Sequence, residues 1–160
     1  MGRQKRLVLL LCAFAACPAA AQPARLGVYG VWGAFSDGGR CWAIARPGAA
    51  GSPGGRAFAS VGYWRSGPRG QFHARLSGDK RAESAVLARI DGRTFSLIGS
   101  GADAWAPDPT ADAALLTAMR TGVTLVVETR SVSGGLIADQ YRLQGAPSAI
   151  DAAALGCLAR

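Results

Sequence analysis

Gly101-Ala-Asp-Ala-Trp-Ala-Pro-Asp-Pro-Thr-Ala-Asp112, with the apolar run that follows it to Arg120, is the stretch whose reading decides the fold. Pro107 and Pro109 suit the first turn of a helix, where a missing N–H is harmless, and Asp108 or Thr110 can cap it. Asp112 suits the positive end of the helix dipole. Leu115, Leu116 and Met119 form an apolar stripe, and Gly122 stops the helix. From Val123 to Ser131 the period changes to two, with Val123, Leu125 and Val127 against Thr124, Val126 and Glu128. Ser133-Gly-Gly135 is a turn, and Leu136 to Leu143 returns with Ile137, Asp139, Tyr141 and Leu143 on one side. A helix is therefore held among strands.

The pattern upstream is short strands and turns. Leu26 to Phe35 is expected as one strand, with Tyr29, Val31, Gly33 and Phe35 facing one way and Trp32 the other. Ser36-Asp-Gly-Gly39 marks a hairpin into Arg40–Arg46, where Cys41, Ala43 and Ala45 oppose Trp42 and Ile44. Pro47 to Gly55 is a Gly, Pro and Ser loop. Arg56 to Arg65 and Gln71 to Leu76 are strands, the second placing Phe72, Ala74 and Leu76 together and His73 on the polar side. Asp91-Gly92 joins Ala85–Ile90 to Thr94–Ile98. Trp105 is expected to point inward. Ser148 is expected to cap a closing helix, Ala149 to Leu158. Eight or nine short strands with frequent turns read as a mainly β chain, a sandwich or a barrel.

Met1 to Ala21 has the form of a secretory signal peptide, with Arg3, Lys5 and Arg6, an apolar run from Leu7 to Ala16, and Ala19 and Ala21 before the cut. The expectation is a single exported domain, 22–160, in the periplasm or cell envelope. Cys17 after Phe14-Ala-Ala offers a lipidation alternative, although such signals usually carry Leu where Phe14 stands. Removing the signal takes three of 18 Lys and Arg and none of 10 Asp and Glu, so the net charge falls from +8 to +5. No second apolar run of membrane-spanning length follows. The remaining positives are mostly scattered arginines without a like-charge block or aromatic interleaving, which argues against a nucleic-acid partner.

Two cysteines remain, Cys41 and Cys157. In an exported chain an even number reads as a disulfide. Closing so long a loop is worth about 4.7 kcal/mol in chain entropy. A reactive pair has no C-x-x-C spacing to support it, and two cysteines with one distant histidine do not make a metal site.

Asp103-Ala-Trp105, Ala113-Ala-Leu-Leu-Thr-Ala-Met-Arg-Thr-Gly122, Asp139-Gln-Tyr-Arg-Leu-Gln-Gly145 and Ala149-Ile-Asp through Cys157 resemble the invasion-associated locus B family of exported bacterial proteins. Trp32 and the Cys41-Trp42 strand extend the resemblance over nearly the whole mature chain. It implies an immunoglobulin-like β-sandwich with one inserted helix and a short C-terminal helix. It brings no catalytic residues and no cofactor.

The sequence offers little chemistry. His73 is the single histidine. Asp37, Asp103, Asp108 and Asp112 have turn, loop or cap roles. Asp139, on an apolar strand face, needs a partner because a bare buried carboxylate is expensive, and Arg130 on the neighbouring strand is the expected one. Trp42 and Trp64 are either core residues or an exposed binding pair. The reading is therefore a non-enzymatic envelope protein that binds a protein or a surface. Its alternative is a small-molecule or glycan-binding sandwich, or an inhibitor of an envelope hydrolase.

Overall fold

The computed structural model describes residues 22–48 and 56–158. The signal-peptide reading, Cys17 and most of the Pro47–Gly55 loop lie outside them. Among the described residues the chain is mainly β: ten strands in one antiparallel order and two helices. The strands are β1 (Ala24–Tyr29), β2 (Trp32–Asp37), β3 (Arg40–Ala45), β4 (Phe58–Trp64), β5 (Arg69–Arg75), β6 (Val86–Ile90), β7 (Arg93–Ser100), β8 (Asp103–Trp105), β9 (Thr124–Arg130) and β10 (Leu136–Arg142). The helices are α1 (Pro109–Thr121) and α2 (Ala146–Leu158). The order across the sheet is β1-β2-β3-β4-β5-β8-β7-β6-β9-β10.

One strand turns the corner. The first half of β7 pairs with β6, from Arg93 opposite Ile90 to Leu97 opposite Val86. Its second half pairs with β8, from Ile98 opposite Trp105 to Ser100 opposite Asp103. A strand shared in this way lets a twisted sheet fold over on itself. The two ends of the order then meet. The Trp32 indole on β2 donates to the Arg142 carbonyl on β10 at 2.8 Å, and Gly48 N–H donates to the Gln140 carbonyl at 2.9 Å. Gly145 packs so tightly on the Tyr29 carbonyl that a side chain there would overlap it.

The core follows the period-two pattern. Ala34, Ala43, Ala45, Ala59, Val61, Phe72 and Ala74 are buried on the inner face, as are Leu125, Val127, Ile137 and Tyr141. Helix α2 lies against β1 to β4 with Ala146, Ala149, Ile150, Ala153 and Cys157 buried. These recur at helical spacing, and alanines on both sides let the helix approach closely. Cys157 meets Cys41 of β3 with Cα atoms 5.8 Å apart, joined as a disulfide that fastens the last helix to the sheet.

Helix α1 starts where its sequence says it should. Asp108 is the N-cap, its Oδ1 accepting from Ala111 N–H at 2.8 Å, and Pro109 follows. Leu115, Leu116 and Met119 are buried. Gly122 does end the helix, but its backbone is extended rather than left-handed. The glycine is required by space, because a Cβ would press into Ile90 Cγ2.

Several expectations are corrected. Leu26–Phe35 is two strands, with Gly30 in a left-handed conformation at a two-residue turn that sets Tyr29 opposite Trp32. Trp105 points outward while its neighbour Ala104 is fully buried, and Asp103 belongs to a strand rather than a loop. Helix α2 begins at Ala146, its first turn closed by Ala149 N–H on the Gly145 carbonyl, so Ser148 lies inside the helix. Pro147 is tolerated because the first helical N–H groups have no helical acceptor.

Candidate functional site

The outer face of β2, β3, β4, β5 and β8 gathers side chains that a reading of separate strands cannot join. Register sets the rows. One row runs Phe35, Trp42, Gly62, Gln71 across β2 to β5. The next runs Gly33, Ile44, Ser60, His73, Trp105, Ile98. The flanking rows carry Arg40 opposite Trp64, and Phe58, Arg75 and Asp103. Trp42 and Trp64, the two candidate aromatics, therefore share one face, both partly exposed.

The rings lie against the sheet. A side chain on Gly62 would collide with the six-membered ring of Trp64, and one on Gly33 would collide with the Phe35 ring. Each aromatic thus folds back over the glycine two residues before it, and each glycine leaves room for a ring to lie flat. The Phe35 and Trp42 centroids are 6.0 Å apart at 26°, and the Arg40 guanidinium stands 5.2 Å over the Trp42 ring. His73 stacks on Trp105 at 5.0 Å and 6°, with the Phe58 edge at 5.2 Å.

Between these rings runs a groove of about 270 Å³, floored by Ser60 and Gly62 and lined by Trp42, Trp64, His73 and Trp105 among others. Ile44 and Phe58 also line a second hollow of about 910 Å³, beside Arg46, Arg56, Arg75 and Arg142. The two hollows adjoin at Ile44 and Phe58, which line both. No carboxylate is among the described residues lining either of them. The nearest, Asp103, is engaged: Oδ1 accepts from His73 Nε2 at 2.9 Å, and Oδ2 accepts from Arg75 Nη1 at 3.0 Å.

Ser60, His73 and Asp103 are the residue types of a hydrolytic triad, and the register sets Ser60 opposite His73. Their bonding differs from one. Ser60 Oγ donates to the His73 main-chain oxygen at 3.2 Å, not to the imidazole, and the hydroxyl sits in the buried floor. Asp103 is shared between an imidazole and a guanidinium, which holds the His73 ring flat against Trp105. This is the bonding of a rigid platform. Among the described residues no three His, Cys, Asp or Glu side chains gather as metal ligands.

Asp139 is buried, and its Oδ2 accepts from Ser77 N–H at 2.8 Å, tying β10 to the loop after β5. Arg130 is exposed and alternates to the other face of β9 from Val127, the residue opposite Asp139. Asp112 does more than answer the helix dipole. Its Oδ1 accepts from Phe72 N–H at 2.7 Å, which locks α1 onto β5. Burial pushes its carboxyl above the usual range, Phe72 N–H opposes this, and Asp108 adds to it.

The sequence reading placed Trp42 and Trp64 but missed Phe35, Phe58, His73 and Trp105 as their neighbours. The available signal was the spacing Gly33-Ala-Phe35 and Gly62-Tyr-Trp64, a glycine and an aromatic two apart on one strand face. Compared with protein-family models, curated proteins and solved structures, the chain gives no match.

Proposed function

We propose that this chain is an exported, non-enzymatic domain of the cell envelope that binds a protein or surface partner through the outer face of β2 to β5. The observation that carries this is the set of flat, partly exposed rings around Trp42 and Trp64, held over glycines on a disulfide-fastened sheet. Rigid aromatics lose little entropy on binding, and aromatic and arginine side chains dominate recognition surfaces. The main-chain bond of Ser60 Oγ favours recognition over hydrolysis.

The fold we propose is an immunoglobulin-like β-sandwich of the invasion-associated locus B kind. Support comes from the corner at β7, from the meeting of β2 with β10, and from the order of Asp103-Ala-Trp105, Asp139-Gln-Tyr-Arg-Leu-Gln-Gly145 and Cys157. Export is supported by the Met1–Ala21 pattern and by the Cys41–Cys157 pair. Among the described residues no helix is long and apolar enough to cross a membrane. Intact mass of the protein from its native host should begin at Gln22 and show no free thiol. A mass beginning at lipidated Cys17 would move the protein to a membrane surface.

The binding face is tested by co-sedimentation with isolated envelopes of the host, combined with hydroxyl-radical footprinting. Protection is expected at Trp42 and Trp64. Retention of Trp42→Ala and Trp64→Ala equal to wild type, with no protection at either ring, would refute it. The groove favours a second reading, in which the ligand is a glycan.

A further inference from the structure

We propose that the two adjoining hollows on this face together bind a single chain of an acidic polysaccharide. The inference rests on the binding-face reading above and names the ligand class for it.

Shape comes first. Ile44 and Phe58 line both hollows, so the two adjoin and together form a trench; β4, Phe58–Trp64, runs roughly 20 Å along the smaller of them. A trench of that length suits an extended polymer better than a compact small molecule. The rings come second. Trp64 and Phe35 lie flat over Gly62 and Gly33, so they offer faces rather than edges, and a ring face matches the C–H face of a sugar. Hydroxyl partners come third. Gln71 carries both donors and an acceptor, and His73 stands beside it on the same lining.

Charge decides the sign. Arg40, Arg46, Arg56, Arg75 and Arg142 line the trench, and the residues described there include no acid. Guanidinium forks bind carboxylates and sulfates in bidentate fashion. Arg75 is braced by Asp103, while Arg46, Arg56 and Arg142 are exposed on the rim. A neutral glycan would leave this field unanswered.

The test is titration of the purified protein, followed by tryptophan fluorescence and calorimetry, with hexasaccharides of galacturonate, heparin and hyaluronan. Cellohexaose and maltohexaose serve as neutral controls and polyglutamate as an anion without sugar rings. At least one acidic hexasaccharide is expected to bind tenfold or more tighter than both controls and to weaken with added salt. Trp42→Ala and Arg46→Glu should each weaken it about tenfold, with far-ultraviolet circular dichroism unchanged. Equal binding of a neutral hexasaccharide overturns the acidic assignment, and equal binding of polyglutamate overturns the glycan. If no hexasaccharide binds at millimolar concentration, the inference fails. Envelope retention that still depends on Trp42 would then leave the binding face standing, whereas retention indifferent to Trp42 would remove both.

Discussion

Replacing both Cys41 and Cys157 with alanine should remove a large part of the stability of this domain. The pair is separated by 116 residues, and the chain-entropy relation gives about 4.8 kcal/mol for a loop of that length. Both residues are buried, so losing two sulfurs adds roughly 1 kcal/mol of lost packing around the inner face of β3 and α2. Against a typical folding stability of about 5–15 kcal/mol, the double variant would sit near the edge of folding. For a domain of this size the midpoint should fall by about 20 °C. The assay is urea unfolding followed by tryptophan fluorescence. Because the effect lies mainly in the unfolded chain, the uncrosslinked protein should also show a larger m-value, as its unfolded state exposes more surface. A loss below about 1.5 kcal/mol with an unchanged m-value would refute the reasoning, since it would mean that the crosslink constrains nothing in the unfolded ensemble.

Four smaller changes follow from single contacts. The Tyr141 hydroxyl is buried with no hydrogen-bond partner among the described residues, so Tyr141→Phe should leave stability unchanged or raise it by up to about 1 kcal/mol in urea unfolding; a loss above about 1 kcal/mol would show the hydroxyl to be satisfied. Asp112→Ala strands the Phe72 N–H and should cost about 1–3 kcal/mol, while Asp112→Asn keeps an acceptor. Because burial raises the Asp112 carboxyl in the fold, the folded state holds that proton longer, and this group's contribution to stability falls as pH rises from its ordinary range through the raised one. Asp112→Asn should abolish that decline in midpoints measured at roughly pH 3 to 7, the acidic side of neutrality where carboxyls titrate. Gly122→Ala should destabilise by about 1–3 kcal/mol in thermal unfolding, because its Cβ meets Ile90 although its backbone angles suit any residue. Gly62→Ala should lift the Trp64 ring from the sheet, and fluorescence quenching by acrylamide should rise while stability changes little.

Much of this fold was legible because its signals are local. The Asp91-Gly92 turn is a two-residue hairpin with both residues left-handed, and only such residue types adopt that turn easily. The Asp108 cap, the Pro109 start and the stripe of Leu115, Leu116 and Met119 lie within four turns of one helix. Alternation along β9 and β10 followed from the two-residue period of a strand. The Cys41–Cys157 pairing needed only an even count of cysteines after the stretch read as a signal peptide.

What sequence by itself determined, then, was the alternation of each strand and the limits of most elements. Which neighbours each face meets was decided by the tertiary structure. Leu26–Phe35 has unbroken apolar and glycine character, and only the pairing of Tyr29 with Trp32 shows the turn at Gly30. Trp105 looked inward by size, yet Ala104 takes the interior because β8 is wedged between β5 and β7, and the indole stacks on His73. Asp139 finds Ser77 N–H 62 residues away. The trench along β4 combines strands separated in sequence, and their rings meet through cross-strand register. A strand's own period states which side chains share a face; register, set by the packing of the whole sheet, states what stands beside them.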